Sequence, residues 1–314
     1  MGLNDSSEQM VTNTPQSSAL TLFALPKPFR GHIDVIQRNA IRSWVELNPA
    51  PEILLFGDDE GTAEIAREFG LRHIPSIRRN EFGTPLMGDL FQQAQSAAAH
   101  DTLCYVNSDI ILLSDFPQAV ERVARFREQF LMVGRRLDLD LAEPLRFDAN
   151  GWEASLRSRA LSQGTMNIAR SIDYFVFPRS LYPPLPEMAI GRFWWDNWLI
   201  WKAHALGAAV VDATAVVLAI HQNHTYAHYS GGREAMLAGE EAARNCRLGC
   251  ETNPADFDSG LYWRYFYTID DATHVLERDA IRPTSRHTWK MLKRTLGNPR
   301  SLPALIRQTL VGTR

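Results

Sequence analysis

The sequence predicts an α/β fold, a mostly parallel sheet flanked by helices in a single compact domain with a helical C-terminal extension. Three observations predict it. Short apolar runs alternate with stretches of helical spacing from Ala19 to Ser114. Polar turns recur where the apolar runs end. No linker-like stretch divides the middle of the chain, so residues 19–276 are expected to form one domain.

"ALTLFAL", from Ala19, reads as a first strand, ended by Pro26 and Pro28. In "HIDVIQRNAIRSWVEL" the residues Ile33, Ile36, Ala40, Ile41, Trp44 and Val45 recur near helical spacing. "EILLFG" is a buried strand that breaks into the turn "GDDEG". "TAEIAREFG" is a helix with Thr62 as its cap and Gly70 at its end. "LRHIPSI" is a short strand, and the helix "MGDLFQQAQSAAAH" delivers the chain to "TLCYVNSDIILLS". Further on, "FPQAVERVARFREQ" reads as a helix, "FLMVGRR" as a strand and "LDLDLAEPLRFDANGWEASLRSRAL" as a helical or loop segment. "SIDYFVFP" is a strand and "RFWWDNWLIWKAHALG" a helix. "AAVVDATAVVLAIHQ" holds one or two core strands. Its apolar run is too short to span a membrane and carries Asp212 and Thr214.

Composition narrows the classes. The 314 residues are 45% hydrophobic and 22% charged, with net charge -3, so nothing global argues for a nucleic-acid partner. Three cysteines are too few for a disulfide framework and fit a reducing, cytoplasmic compartment. Cys246 and Cys250 form a lone C-x3-C, a weak pattern for pairing or metal. Residues 1–18 are polar and lack the basic and apolar segments of a secretory signal, so a disordered leader is expected. No G-x-S-x-G, P-loop or strand-following G-x-G-x-x-G is present, which removes the usual sites of nucleophilic hydrolysis and P-loop phosphoryl transfer.

In parallel sheets of this kind ligands bind beyond the carboxyl ends of the strands. Pro26-Lys27, Asp58-Asp59 and Asn107-Ser108-Asp109 all fall there. The last trio interrupts an apolar run, "LCYVNSDIILLSDF". A carboxylate at a strand end, with an oxygen ligand two residues earlier, can hold Mg2+ or Mn2+ together with substrate phosphates. The same trio can equally be an Asx-turn between strands.

"LFALPKPF", "LLFGDDEG", "GDLFQQAQSAAAHDTLCYVNSDIILLSDF" and "GRFWWDNWLIWKA", in that order, resemble a nucleotide-sugar glycosyltransferase of the GT-A fold. The resemblance covers roughly Leu22 to Gly232 and implies a GT-A-like, Rossmann-like sheet. Residues 19–116 would be its nucleotide-binding half and 117–276 its acceptor half. It further implies a nucleoside diphosphate sugar as donor and Mn2+ or Mg2+ as cofactor. In that family a D-x-D motif holds the metal on the donor diphosphate. Here the DXD-like motif has Asn107 and Ser108 in place and keeps the last acid, Asp109. By the same resemblance Leu25, Pro26 and Asp58 would contact the base and ribose, although "GDDEG" also fits a solvated turn. Lys27, Arg79 and Arg135, with Arg78 and Arg136, are candidates to neutralise the diphosphate.

Asp196 sits among Trp194, Trp195, Trp198 and Trp201. An aromatic setting desolvates a carboxylate and raises its pKa, which makes a usable base. In inverting members of the family an acid at the start of this helix deprotonates the acceptor. The alternative is a helix-terminal acid beside core tryptophans. Aromatic faces suit sugar rings, so Trp194, Trp195 and Tyr226 are candidate acceptor contacts. In "HQNHTYAHYSGG" three histidines stand beside two tyrosines, as in a loop closing over a site. The resemblance implies a histidine among the metal ligands: His221 first, at the strand end, then His224.

From residue 277 the chain is basic, and "HTWKMLKRTLG" places Trp289, Leu292 and Leu296 near one helical face. Such a segment can lie on the inner face of an anionic membrane or pack on the domain. The expected activity is metal-assisted transfer of a sugar to a carbohydrate, lipid-linked or small-molecule hydroxyl. A sugar nucleotidyltransferase and a non-catalytic nucleotide- or glycan-binding protein are the alternatives. The former lacks its Gly-rich basic loop after the first strand.

Overall fold

A computed structural model describes residues 20–224 and 236–285. The leader, Tyr226 with its loop, and the basic amphipathic segment from residue 286 lie outside the described residues.

The elements run β1 (Leu20–Ala24), α1 (Gly31–Val45), β2 (Glu52–Phe56), α2 (Thr62–Glu68), β3 (Arg72–Ile74), α3 (Met87–Ala97) and β4 (Thr102–Val106). There follow β5 (Ile110–Ile111), α4 (Asp115–Phe126), β6 (Phe130–Val133), β7 (Arg136–Leu139), α5 (Trp152–Gln163), β8 (Thr165–Met166) and β9 (Tyr174–Pro178). The last are α6 (Trp195–Ala205), β10 (Ala209–Asp212), β11 (Ala219–Gln222), α7 (Glu240–Gly249), β12 (His274–Leu276) and β13 (Ile281–Pro283).

Nine strands form the main sheet, in the order β13-β12-β10-β6-β9-β4-β1-β2-β3. β9 enters antiparallel between β4 and β6, β13 is an antiparallel edge, and the other pairs are parallel. The predicted mostly parallel α/β sheet is the one observed. Both of its faces are covered, as period-2 alternation shows. Phe23, Leu103, Tyr105, Phe175 and Phe177 point into one core with Phe91 and Trp198. Leu22, Ala24, Cys104, Val106 and Val176 point into the other with Trp44 and Phe116.

A second sheet of four short strands, β5-β11-β7-β8, stands beyond the carboxyl ends of β4 and β6. One face is apolar throughout, and the other mixes charged side chains with Ile110 and Ala219, which join a core of the large sheet. Leu137, Leu139, Ile111 and Ile220 pack with Leu156 and Ala160 of α5. Arg136, Asp138 and His221 alternate with those leucines and isoleucines, so the pleat turns them to the opposite side.

Several expectations are corrected. "FLMVGRR" is two strands in two sheets, β6 and β7, and "RLDL" is strand, not helix or loop. "AAVVDATAVVLAIHQ" likewise splits into β10 and β11 of different sheets. Thr62 does not cap α2: Gly61 holds that position at φ 89°, and Thr62 begins the helix. A Cβ on Gly61 would stand 2.6 Å from Phe29, so only glycine fits there. Gly70 ends α2 as expected, at φ 67°, and the Leu71 N–H donates to the Ala66 carbonyl at 2.7 Å. The extension expected to be helical from 277 begins instead with β13, which pairs with β12 and widens the sheet. Cys104, Cys246 and Cys250 are free and buried. No described helix is long and apolar enough to cross a membrane.

Candidate metal and substrate site

The interrupted run at Asn107 is a turn, and its side chains do other work. The Ile110 N–H donates to the Asn107 carbonyl at 3.1 Å and closes the turn between β4 and β5. The Asn107 side chain makes no Asx-turn. Its amide donates to Asp173 Oδ1 at 2.6 Å, and its Oδ1 accepts from the Tyr105 hydroxyl at 2.9 Å. The turn leaves Ser108 and Asp109 buried, with Ser108 Oγ and Asp109 Oδ1 meeting no hydrogen-bond partner. Buried oxygens of this kind are costly unless something satisfies them.

β11, whose Ile220 and His221 pair with β5, brings the histidines to Asp109. His224 Nε2 is 3.0 Å from Asp109 Oδ2, and His221 Nε2 is 3.9 Å from the same oxygen. Ligand atoms of Asp109, His221 and His224 lie within 4.8 Å of one another. Around an octahedral cation with bonds near 2.1 Å, adjacent ligand atoms are about 3.0 Å apart and opposite ones about 4.2 Å. One carboxylate and two imidazoles at these separations, beside an orphaned Asp109 oxygen, fit a divalent first-row cation such as Mn2+. Burial alone would raise the Asp109 pKa. The bond from His224 and the charges of His221, Lys27 and His224 outweigh it and hold the carboxyl well below the usual range.

Around this triad lie acids that sequence reasoning missed. Arg136 donates to Asp173 Oδ2 at 3.0 Å, and its Nε is 2.9 Å from Asp138 Oδ1. Burial would lower its pKa, but Asp173, Asp138 and Asp109 keep it well above the ordinary value. Asp196 feels both Asp173 and Arg136. Four carboxylates, Asp109, Asp138, Asp173 and Asp196, thus share Arg136 as a common neighbour, with Lys27 beside Asp109, a balance a divalent cation would complete. The available signal was the strict alternation of "RLDLDL", which assigns a strand with Arg136 and Asp138 on one face. Asp173 carried no local signal beyond preceding an apolar run.

Asp196 lies in the first turn of α6 and is half-buried. Burial, with the charge of Asp173, pushes its carboxyl up to about 7 against the Asn197 N–H and Arg136. The preceding Trp194 has φ 102°, the single positive φ among described non-glycine residues. Such backbone costs about 1–3 kcal/mol and is kept where the surroundings fix it. Here they do, because Trp194 is wholly buried against Tyr262 and Phe266, at ring distances of 5.4 and 5.3 Å. Trp195, 5% exposed, packs against Tyr105 and Phe175. Neither ring therefore presents a face to an acceptor. Both expectations are corrected: these tryptophans are core that sets the start of α6.

Of the remaining candidates, Leu25 and Lys27 are half-buried at the end of β1, and Pro26 is buried. Gln37 fixes that corner, accepting from the Lys27 N–H at 2.7 Å and donating to the Lys27 carbonyl at 2.8 Å. Asp58, its side chain 74% exposed, lies open at the end of β2. Arg79 bonds Asp59 at 2.9 Å and Asp58 at 3.3 Å, so two acids already compensate it. Arg78 is held by Asp89 and Glu187. Arg135 is not among the acids: its Nε and Nη2 both donate to the Asn167 carbonyl, and its neighbour Arg136 takes the place at the centre.

No model of a known protein family matches the sequence, and no curated protein matches it. Solved structures are similar to it. One is glucosyl-3-phosphoglycerate synthase from Mycobacterium tuberculosis with Mg2+ and UDP, at 14% identity and TM-score 0.44 over 74% of this chain and 79% of that one. The same enzyme with Mn2+, UDP and glucosyl-3-phosphoglycerate aligns at 14% identity and TM-score 0.43, over 74% and 79%. S. aureus TarS 1-349 with UDP-GlcNAc aligns at 11% identity and TM-score 0.49, over 94% and 79%.

Proposed function

We propose that the protein is a divalent-cation-dependent glycosyltransferase that moves a sugar from a nucleoside diphosphate sugar to a hydroxyl acceptor. One observation carries the reading. A carboxylate–imidazole triad, buried at Asp109 and His221 and half-buried at His224, shares one charge network with a half-buried acid of pKa near 7 at the carboxyl edge of a parallel sheet. The ordered motifs that resemble GT-A enzymes fall on the same elements and support it.

Asp109, His221 and His224 would hold the cation, Mn2+ or Mg2+. Bound there, it supplies Lewis-acid stabilisation of the departing diphosphate. Lys27, close enough to act on Asp109, places a positive charge on the donor side. Leu25, Pro26 and Asp58 border the space for the base and ribose. Asp196 takes the proton of the acceptor hydroxyl in an inverting transfer. A base with pKa near 7 is about half ionised at neutral pH and still basic enough to accept a proton. Arg136 pairs with both Asp138 and Asp173 beside it and, with His221, lowers the Asp138 pKa. The acceptor would be a carbohydrate, lipid-linked or small-molecule alcohol, and Tyr226 stays a candidate contact to it by its place in the sequence after β11.

A panel of nucleoside diphosphate sugars, assayed with Mn2+ for thermal stabilisation and slow donor hydrolysis, tests the reading. Wild type should respond to at least one donor in a Mn2+-dependent manner, and Asp109→Ala should lose both responses. Equal responses from Asp109→Ala would return the turn to a purely structural role.

A further inference from the structure

The cation site has a neighbour with no ligand role. Asp138 and His221 are cross-strand partners in the parallel pair β7–β11. Asp138 Oδ1 is 3.2 Å from His221 Nδ1, on the opposite edge of the ring from Asp109. Its carboxylate is pinned elsewhere as well. Oδ2 accepts from Asn167 Nδ2 at 2.6 Å, and Arg136 Nε stands 2.9 Å from Oδ1. Asp138 is thus held from two other sides, and its Oδ1 and His221 Nδ1, both buried and meeting no other hydrogen-bond partner, face each other across that 3.2 Å.

A neutral imidazole carries one proton, and whichever nitrogen holds it is lost as a metal donor. An ionised carboxylate beside Nδ1 draws the proton there and leaves the Nε2 lone pair facing Asp109 Oδ2. We infer that Asp138 is a positioning residue. It fixes the orientation and tautomer of His221, so that Nε2 is presented to the cation. This rests on reading Asp109, His221 and His224 as a cation site. Without Asp138 the proton can move to Nε2, which would then turn an N–H instead of a lone pair toward the cation. The site would lose one of its three donors, which is why a residue that never touches the ion would govern its affinity.

The test uses the full chain without donor, with Co2+ and Mn2+ as probes. Calorimetry gives affinity, and the visible absorption of Co2+ reports its coordination. Asp138→Asn should weaken both ions by about tenfold to a hundredfold and change the Co2+ spectrum. Asp138→Glu keeps the charge opposite Arg136 but displaces the oxygens, and it should weaken binding too. A role through charge alone predicts no loss for Asp138→Glu. Combined with His221→Ala, Asp138→Asn should add little further loss, because it acts through that ring. Additive losses, or unchanged affinity in Asp138→Glu, would overturn the positioning role while leaving the cation site standing. Wild type that binds neither ion would overturn both.

Discussion

The two sheets solve different problems with the same period-2 geometry. In the large sheet, neighbours such as Phe175 and Val176 enter cores on opposite faces, and buried polar side chains such as Thr21 and Asp212 stand near strand ends. In the small sheet Leu137, Leu139, Ile111 and Ile220 pack into a core of their own, and Ile110 and Ala219 join a core of the large sheet. Its other face carries Arg136, Asp138 and His221 into a charge network. The comparison teaches where stability and chemistry reside. The middle of a strand covered on both sides is a costly place for an ionised group. A strand covered on one side can hold several, provided they are paired.

Substitutions on the two sides of this division should behave differently. The largest effect is expected in the double-covered core. Trp195→Ala should cost about 3–5 kcal/mol in chemical denaturation, as large core truncations do. Loss of acceptor affinity with unchanged stability would place the ring in the site after all.

Next comes the charged side. Asp196→Asn should lower turnover by about a hundredfold or more while leaving donor and Mn2+ affinity close to wild type. Wild-type turnover should rise with pH through about 7 as Asp196 ionises. Stability runs the other way. The folded state holds this proton more tightly than the unfolded one, whose carboxyl titrates near 3.8. Asp196 therefore stabilises the fold fully below that value, and the contribution is lost as pH rises through about 7. Asp196→Asn should flatten this part of the stability profile; a profile that falls as steeply in the variant assigns the slope to other groups.

A smaller effect is expected at the hinge between the sheets. A carboxylate at Asn107 would face Asp173 Oδ1 across 2.6 Å, in place of the amide that now donates to it. Asn107→Asp should therefore destabilise by about 1–3 kcal/mol, the usual cost of unsatisfied buried polar groups. Because added negative charge also attracts cations, Mn2+ should recover part of the loss in a thermal melt. Equal stability without metal would show that the Asn107–Asp173 bond contributes nothing.

The smallest belongs to Arg79, already compensated by Asp58 and Asp59. Its truncation to alanine should change donor affinity by only a few fold, whereas Lys27→Ala should change it more. The reverse order, measured by donor titration in Mn2+, would reassign the diphosphate contact.

Patterns of local origin were legible in the sequence. Apolar runs and helical spacing placed β1 to β4 and α1 to α4, since strand and helix periods are properties of neighbouring residues. Gly70 ended its helix because a left-handed residue is a local need. Asp109, Asp196, His221 and His224 stood out as polar residues at the ends of apolar elements. What could not be read was anything requiring two distant segments to meet. Splitting "FLMVGRR" and "AAVVDATAVVLAIHQ" between two sheets depends on what each half pairs with. That Asn107 serves Asp173, 66 residues away, is invisible to a motif that counts two residues forward. The tryptophans of "FWWDNW" were rightly seen as surroundings of an acid. Whether their rings faced a sugar or the core depended on Tyr105, Phe175, Tyr262 and Phe266 arriving from elsewhere. Sequence alone thus determined which elements form and which groups can ionise or bind a cation, because those are short-range properties. Only the tertiary structure decided which groups share one pocket and which arginine sits among the acids, because electrostatic and packing energies depend on distance in space, not on separation along the chain.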